Sequence, residues 1–282
     1  MLYVIGNKRF SVSVESTGAQ PVSVKKDGKE MLWQNENGAW GKSAPILFPF
    51  AGGVKVIVDG KEYPKSFHGV ARDKEFSFVS QTQSALTMSL KSSEETKKVY
   101  PFDFEFTVTY AVRNTALYIT YEVLNPSVDK PLYFACGGHE SFNIDGKLDD
   151  YFVQFEKTEK FSCVYIDRDG NPIDRPKTCP VSDVLYFKDF PILNSETLVC
   201  KNVKSSFVKL VKKGGEAVAE THFKGFKNLL FWRAEQSPYI CIEPWKNLPD
   251  VLGKEDIEFK DKTGVEKVLP QSVKTVKRKI VY

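Results

Sequence analysis

Phe102-Asp103-Phe104-Glu105-Phe106-Thr107-Val108-Thr109-Tyr110 alternates apolar and polar side chains without a break. A period of two places the rings and the valine on one face of an extended chain, so the stretch predicts a half-buried β-strand. After Arg113-Asn114-Thr115, the apolar side chains Leu117, Ile119, Tyr121 and Val123 resume on a single face, which predicts the return arm of an antiparallel hairpin. The same alternation recurs in Phe10-Val12-Val14, Phe76-Phe78, Leu86-Met88-Leu90 and Val203–Val211, and Gly214-Gly215 marks a further hairpin turn. No amphipathic helix of more than a turn or two is evident. The 15 prolines and 18 glycines are spread as turn punctuation rather than gathered into a linker. Strands with one apolar face must bury it, and a second sheet does so without helices. The expectation is an all-β chain forming a large antiparallel β-sandwich, a single domain over residues 1–282. No repeat of fixed period is visible, which argues against a propeller.

Composition narrows the function classes. With 282 residues, 41% hydrophobic and 27% charged, the chain can bury a sizeable core. Forty basic residues against 36 acidic ones leave a net charge of +4, too weak and too interspersed for a nucleic-acid footprint. The amino terminus meets Lys8, Arg9 and several serines before any apolar run of signal-peptide length, and no stretch approaches the roughly 20 apolar residues of a membrane span. Cys136, Cys163, Cys179, Cys200 and Cys241 are scattered and never form C-x-x-C, so neither a disulfide framework nor a zinc site is expected. A reducing cytoplasm, with no membrane or nucleic-acid partner, fits best.

Three segments could carry chemistry. His68 lies in a small-residue stretch, Ser66-Phe67-His68-Gly69-Val70-Ala71-Arg72, and predicts a loop position that either serves a ligand or braces the loop. His139 follows Cys136-Gly137-Gly138, and the glycines permit close approaches that suit a histidine facing a cavity; the competing reading is a bulge around a satisfied core imidazole. Position 143 is Asn, so His139-Glu140 is not a metalloprotease box. Glu243 sits in the apolar run Tyr239-Ile240-Cys241-Ile242-Glu243-Pro244-Trp245, where proline is expected to end strand pairing. Burial there would raise its pKa toward useful proton-transfer strength; pairing with Arg72 or Arg233 is the alternative. His222 alternates along an ordinary strand and reads as structural. Trp33, Trp40, Trp232 and Trp245 suit either sugar stacking or core. No phosphate loop, G-x-S-x-G elbow or transition-metal cluster is present, while paired glycosidase carboxylates depend on distances that sequence does not give.

Taken in order, His68-Gly69-x-x-Arg72, Gly137-Gly138-His139-x-x-Phe142-Asn143 and Ile242-Glu243-Pro244-Trp245 resemble the aldose 1-epimerase (galactose mutarotase-like) superfamily, nearest its LacX-type branch. Met31-Leu32-Trp33-Gln34, Ala44-Pro45-Ile46-Leu47-Phe48-Pro49-Phe50, Tyr100-Pro101-Phe102-Asp103-Phe104 and Leu269-Pro270-Gln271-Ser272 extend the resemblance over nearly the whole chain. It implies a β-supersandwich that binds a hexopyranose and interconverts its α and β anomers without cofactor or metal. Glu243 would be the base on the anomeric hydroxyl, His139 the proton donor to the ring oxygen and His68 a second donor. Arg72, Lys55, Phe142, Asn143 and Trp232 would contact the monosaccharide, in a monomer or homodimer.

Two departures from the family pattern have consequences. Gly52-Gly53 stands where an arginine usually contacts substrate, with Lys55 nearby, and Glu140 replaces a common proline, which would raise the pKa of its histidine neighbour. Asp145, Asp149 and Asp150 are candidates for a carboxylate that holds sugar hydroxyls. The readings that compete with an anomer-exchanging enzyme are a non-catalytic carbohydrate-binding protein, a mutarotase of phosphorylated hexoses using Lys55, Arg72 and Arg233, and a glycoside hydrolase.

Overall fold

In the computed structural model, which describes residues 1–282 except 37, 161, 168–171, 174–180, 191–192, 194–195, 235 and 254, the strand Glu105–Arg113 lies third in a nine-stranded antiparallel sheet. Its partner Ala116–Leu124 returns through the two-residue connection Asn114-Thr115, with Asn114 at φ +55, a value this side chain tolerates better than most. Phe106 opposes Val123, Val108 opposes Tyr121 and Tyr110 opposes Ile119, all buried on one face. The remaining strands of this sheet are Ser77–Gln81 and Ala85–Lys91 on one side, and Val273–Val281, Ala217–His222, Phe207–Lys212, Tyr151–Lys160 and Val181–Tyr186 on the other.

The second large sheet is also antiparallel and runs Pro172–Ile173, Ser162–Ile166, Thr197–Lys201, Asn228–Trp232, Tyr239–Trp245, Gly137–Gly138 and Ile46–Leu47, with Glu140–Asn143 also paired to Tyr239–Trp245. Its Leu198, Phe231, Ile240, Ile242 and Phe142 share one continuous core with Phe106, Val108, Tyr121 and Ile280 of the first sheet. The opposite face carries a smaller apolar cluster of Leu47, Val199, Leu230 and Trp245. Only one face of the second sheet is therefore consumed by the sandwich, and the other is available for a site. The expected all-β antiparallel architecture is what forms, and no helix among the described residues is long and apolar enough to cross a membrane.

Two strand expectations shift. Phe76 is buried but Phe78 is 51% exposed: it lies on the edge strand of the nine-stranded sheet with its ring stacked on Tyr3, and a register irregularity follows it. The strand expected from Val203 begins only at Phe207. The N–H groups of Lys204 and Ser205 donate to the buried Glu159 carboxylate instead of to a neighbouring strand. Gly214 and Gly215 do turn the hairpin, with Gly214 at φ +73. Cys179 lies outside the described residues.

Candidate active site

Strand register builds the centre of the site. Glu140 opposes Ile242 and Gly137 opposes Trp245, so His139 falls directly opposite Glu243 and Gly138 opposite Pro244. The N–H of Lys246 donates to the carbonyl of Cys136, which means that Pro244, two residues earlier, turns its nitrogen toward the same strand. That nitrogen carries no hydrogen, and the ladder is interrupted at Gly138-His139. Contrary to expectation, the proline does not end strand pairing: on its other side Pro244 opposes Leu229, and the strand continues to Trp245. The break frees His139 to lean over Glu243, and Nε2 of His139 comes to 3.2 Å from Oε2 of Glu243.

The double glycine has two separate tasks. A Cβ on Gly137 would lie 2.9 Å from the Trp245 ring, and one on Gly138 would lie 2.1 Å from Nη1 of Arg278. Arg278 belongs to the nine-stranded sheet and reaches across the core to Glu140, donating through both Nη1 (2.8 Å) and Nη2, while Nη2 also donates to the hydroxyl of Tyr121 at 3.0 Å. Consecutive residues point to opposite faces of a strand. His139 therefore faces the cavity and Glu140 the core. The expectation that Glu140 would raise the pKa of His139 is overturned: burial, then the charge of Arg72, drive the imidazole down to about 3.

His68 reaches the same place from a loop. Its own N–H donates to the carbonyl of Gly52 at 2.9 Å, and the N–H of Gly52 donates to its Nδ1 at 3.0 Å. With Nδ1 accepting, the neutral ring carries its hydrogen on Nε2. Burial, His139 and Arg72 together hold His68 well below the usual imidazole range. Its backbone sits at φ +64, a strained conformation for this residue type. Asn247 fixes the loop further by accepting from the N–H of Ala51 and donating to the carbonyl of Ala51, each at 2.9 Å.

Around these groups lies a cavity of about 740 Å³, within the usual range for small-molecule sites. Trp40 stacks on His139 at 4.8 Å, Trp232 meets His139 edge-on at 5.7 Å, and Trp245 meets His68 edge-on at 5.4 Å. Phe67, Arg72, Ile166, Asp167, Glu196, Thr197 and Arg233 complete much of the lining. Glu243 is 1% exposed; burial pushes its carboxyl well above the usual range, with Glu140 adding to the effect and the Trp245 indole opposing it. Among the described residues it forms no ion pair with Arg72, and its Oε2 lacks a hydrogen-bond partner.

His68, His139, Glu243, Arg72 and Trp232 are thus brought together, and three other expected contacts are not. Lys55 is drawn away by Asp256 at 2.7 Å and Glu62 at 3.2 Å. Phe142 is buried in the core between the sheets, its ring 6.0 Å from that of Tyr282. The amide of Asn143 donates to the carbonyls of Leu32 and Glu30, and this residue lines a different hollow. Asp145 lies in that second hollow too, bonded to Lys212. Asp167 and Glu196 were not singled out from the sequence, because no periodicity or motif marks them.

A model of the family described as aldose 1-epimerase matches residues 1–264. The chain belongs to the aldose 1-epimerase family. Within reach of this family membership, it is 28% identical over 286 residues to the plasmid-encoded protein LacX of Lactococcus lactis subsp. lactis, covering 96% of this chain and 95% of that one. Among solved structures, a galactose mutarotase related enzyme from Lactobacillus acidophilus shares 27% identity with a TM-score of 0.87, covering 100% of this chain and 97% of the other. A galactose mutarotase-like protein from Lactobacillus casei ATCC 334 shares 26% identity with a TM-score of 0.84, covering 100% and 99%. The family resemblance drawn from the three motifs and the supersandwich fold both agree with these findings.

Proposed function

We propose that this aldose 1-epimerase family member interconverts the α and β anomers of an unphosphorylated aldose through a proton exchanged between His139 and Glu243. The observation that carries the reading is their 3.2 Å approach on the cavity-facing side of the second sheet, beneath aromatic walls. Burial favours the neutral form of His139 and the protonated form of Glu243. Transfer of that proton to His139 yields a carboxylate base beside an imidazolium acid with no change in the total proton count. The two oxygens they must serve, on C1 and in the ring, are bonded to the same carbon, so adjacent acid and base suit them.

Glu243 then takes the proton of the C1 hydroxyl, the C1–oxygen double bond forms, the bond from C1 to the ring oxygen breaks, and His139 delivers its proton to that oxygen. Rotation about C1–C2 and closure on the other face of the aldehyde return both protons. Nε2–H of His68 donates to an oxygen of the sugar, and the rings of Trp40 and Trp232 offer platforms for its apolar face. No step requires a cofactor.

An unphosphorylated substrate is favoured over a hexose phosphate because Lys55 is committed to Asp256 and Glu62, and because the lining sets Asp167 and Glu196 against Arg72 and Arg233. The deciding experiment is saturation-transfer NMR on a panel of aldoses and their phosphates. Accelerated anomer exchange that Glu243→Gln abolishes is expected. Binding in calorimetry with an unchanged exchange rate for every sugar would instead mark a carbohydrate-binding protein.

A further inference from the structure

Cys241 is a buried thiol that the proton chemistry leaves unused. It lies two residues before Glu243 on one strand, so both side chains share a face, and Cys241 opposes Ser141 just as His139 falls opposite Glu243. The result is two ligand types at i and i+2 of one strand and a third from the neighbouring strand. The Sγ atom, an imidazole nitrogen and a carboxylate oxygen of this trio all lie within 4.8 Å of one another. Among the described residues, Glu243 Oε2, in a side chain that is almost wholly buried, has no hydrogen-bond partner.

We propose that Cys241, Glu243 and His139 form a binding site for a thiophilic divalent cation of the Zn²⁺ class, whose occupancy switches off the site. The inhibitory part rests on the reading of His139 and Glu243 as the proton-transfer pair; the binding part does not. A tetrahedral zinc centre with bonds of about 2.0–2.3 Å places its ligand atoms roughly 3.3–3.8 Å apart. His139 Nε2 and Glu243 Oε2 are already 3.2 Å apart, and side-chain rotation must bring Sγ into the same triangle. A thiolate, an imidazole and a carboxylate select zinc-like ions over Mg²⁺ or Ca²⁺, which prefer all-oxygen sites.

The charges also balance. Binding releases one proton from the Cys241 thiol and one from the Glu243 carboxyl to solvent, while His139 supplies its Nε2 lone pair as a neutral ring with hydrogen on Nδ1. A dication with two anionic ligands leaves a neutral centre, which suits a buried place better than any single charge. The fourth position faces the cavity, open to water or a sugar hydroxyl. Both members of the proton-transfer pair are then ligands and can no longer exchange protons.

The test uses the intact chain titrated with Co²⁺ as a spectroscopic probe and with Zn²⁺ as the inhibitor. One Co²⁺ per chain with a thiolate-to-metal charge-transfer band is expected, and that band disappears in Cys241→Ser and in Cys241→Ala, the second variant guarding against misfolding of the first. Zn²⁺ affinity falls by about tenfold or more in both. Zn²⁺ slows anomer exchange by the wild type, and each variant, measured against its own metal-free rate, resists. His222→Gln, which removes the surface imidazole beside Glu220, leaves the band intact. A cobalt spectrum without a sulfur band, or one unchanged in both Cys241 variants, overturns the proposal. A Cys241-dependent band in a protein that exchanges no anomers at all supports the cation site and rejects the enzymatic reading.

Discussion

The N–H of Gly52 donates to Nδ1 of His68 at 3.0 Å while the N–H of His68 returns a bond to the carbonyl of Gly52. This reciprocal clamp decides the tautomer of His68, and it occupies the place where the family pattern has an arginine. Replacing His68 by Asn keeps a side chain that tolerates positive φ but removes the Nε2–H that is proposed to donate to the sugar. Anomer exchange should fall about 100-fold with the fold retained, as measured by NMR exchange beside circular dichroism. Gly52→Ala should cost about 1–3 kcal/mol as well, because Gly52 is at φ +75 and its Cβ would lie 2.7 Å from Cβ of Pro249. An active, fully stable Gly52→Ala protein contradicts this role of the loop.

Glu243→Gln and His139→Asn should each lower kcat/KM by about 10²- to 10⁴-fold. On the proposed exchange of a single proton between the two groups, the double variant should be little worse than either single one. Multiplying losses, read by polarimetry on the same aldose, would mean independent roles.

A His139–Glu243 pair that carries one proton, as proposed, sets the expected pH profile. Burial keeps His139 from taking a second proton until about pH 3, so activity should persist through mild acid. Glu243 is shifted upward, and the pair loses its proton as pH rises past that raised value, so the rate should decline on the alkaline side. A rate that climbs steadily from about pH 5 to about pH 8 would be incompatible with a one-proton pair.

Arg278→Met strands the carboxylate of Glu140 between the sheets and should destabilise the fold by about 3–5 kcal/mol. Glu140→Leu combined with Arg278→Met removes both charges and should recover most of that loss in urea denaturation. Failure to recover would locate the stabilising effect outside the ion pair. Because Glu140 neighbours His139 in the chain, the rescued variant also reports, through its exchange rate, how far this bond steadies the imidazole.

Lys55→Met should leave kcat/KM within about twofold, since its ammonium is held by the exposed carboxylates of Asp256 and Glu62 and the residue does not line the cavity. A large rise in KM for any sugar would return Lys55 to the binding site.

Much of this was legible from local pattern. Alternation in Phe102–Tyr110 and Leu117–Val123 predicts the central hairpin because a strand has one exact period, and the register observed is the one that buries those faces. His68, His139 and Glu243 stand out because each combines a proton-transfer side chain with a local oddity: a small-residue loop, a double glycine, a proline in an apolar run. Glu140 and Arg278 are 138 residues apart, and Lys55 and Asp256 are 201 apart, with no periodicity linking either pair. Asp167 and Glu196 line the cavity from segments whose own sequence is unremarkable.

The sequence by itself determined much of the strand pattern with its alternating faces, and it singled out two histidines and a glutamate as groups able to move protons. Alternation along a strand would set His139 and Glu140 on opposite sides, but the glycines before them left a bulge open in the sequence. Only the tertiary structure decided which side is which. The core face is the one that stacks on the nine-stranded sheet, where Arg278 neutralises Glu140; the other is left to the cavity, where His139 meets Glu243 beneath Trp40 and Trp232. Burial depends on what packs above a strand, and that is a property of the assembled sheets rather than of any segment within them.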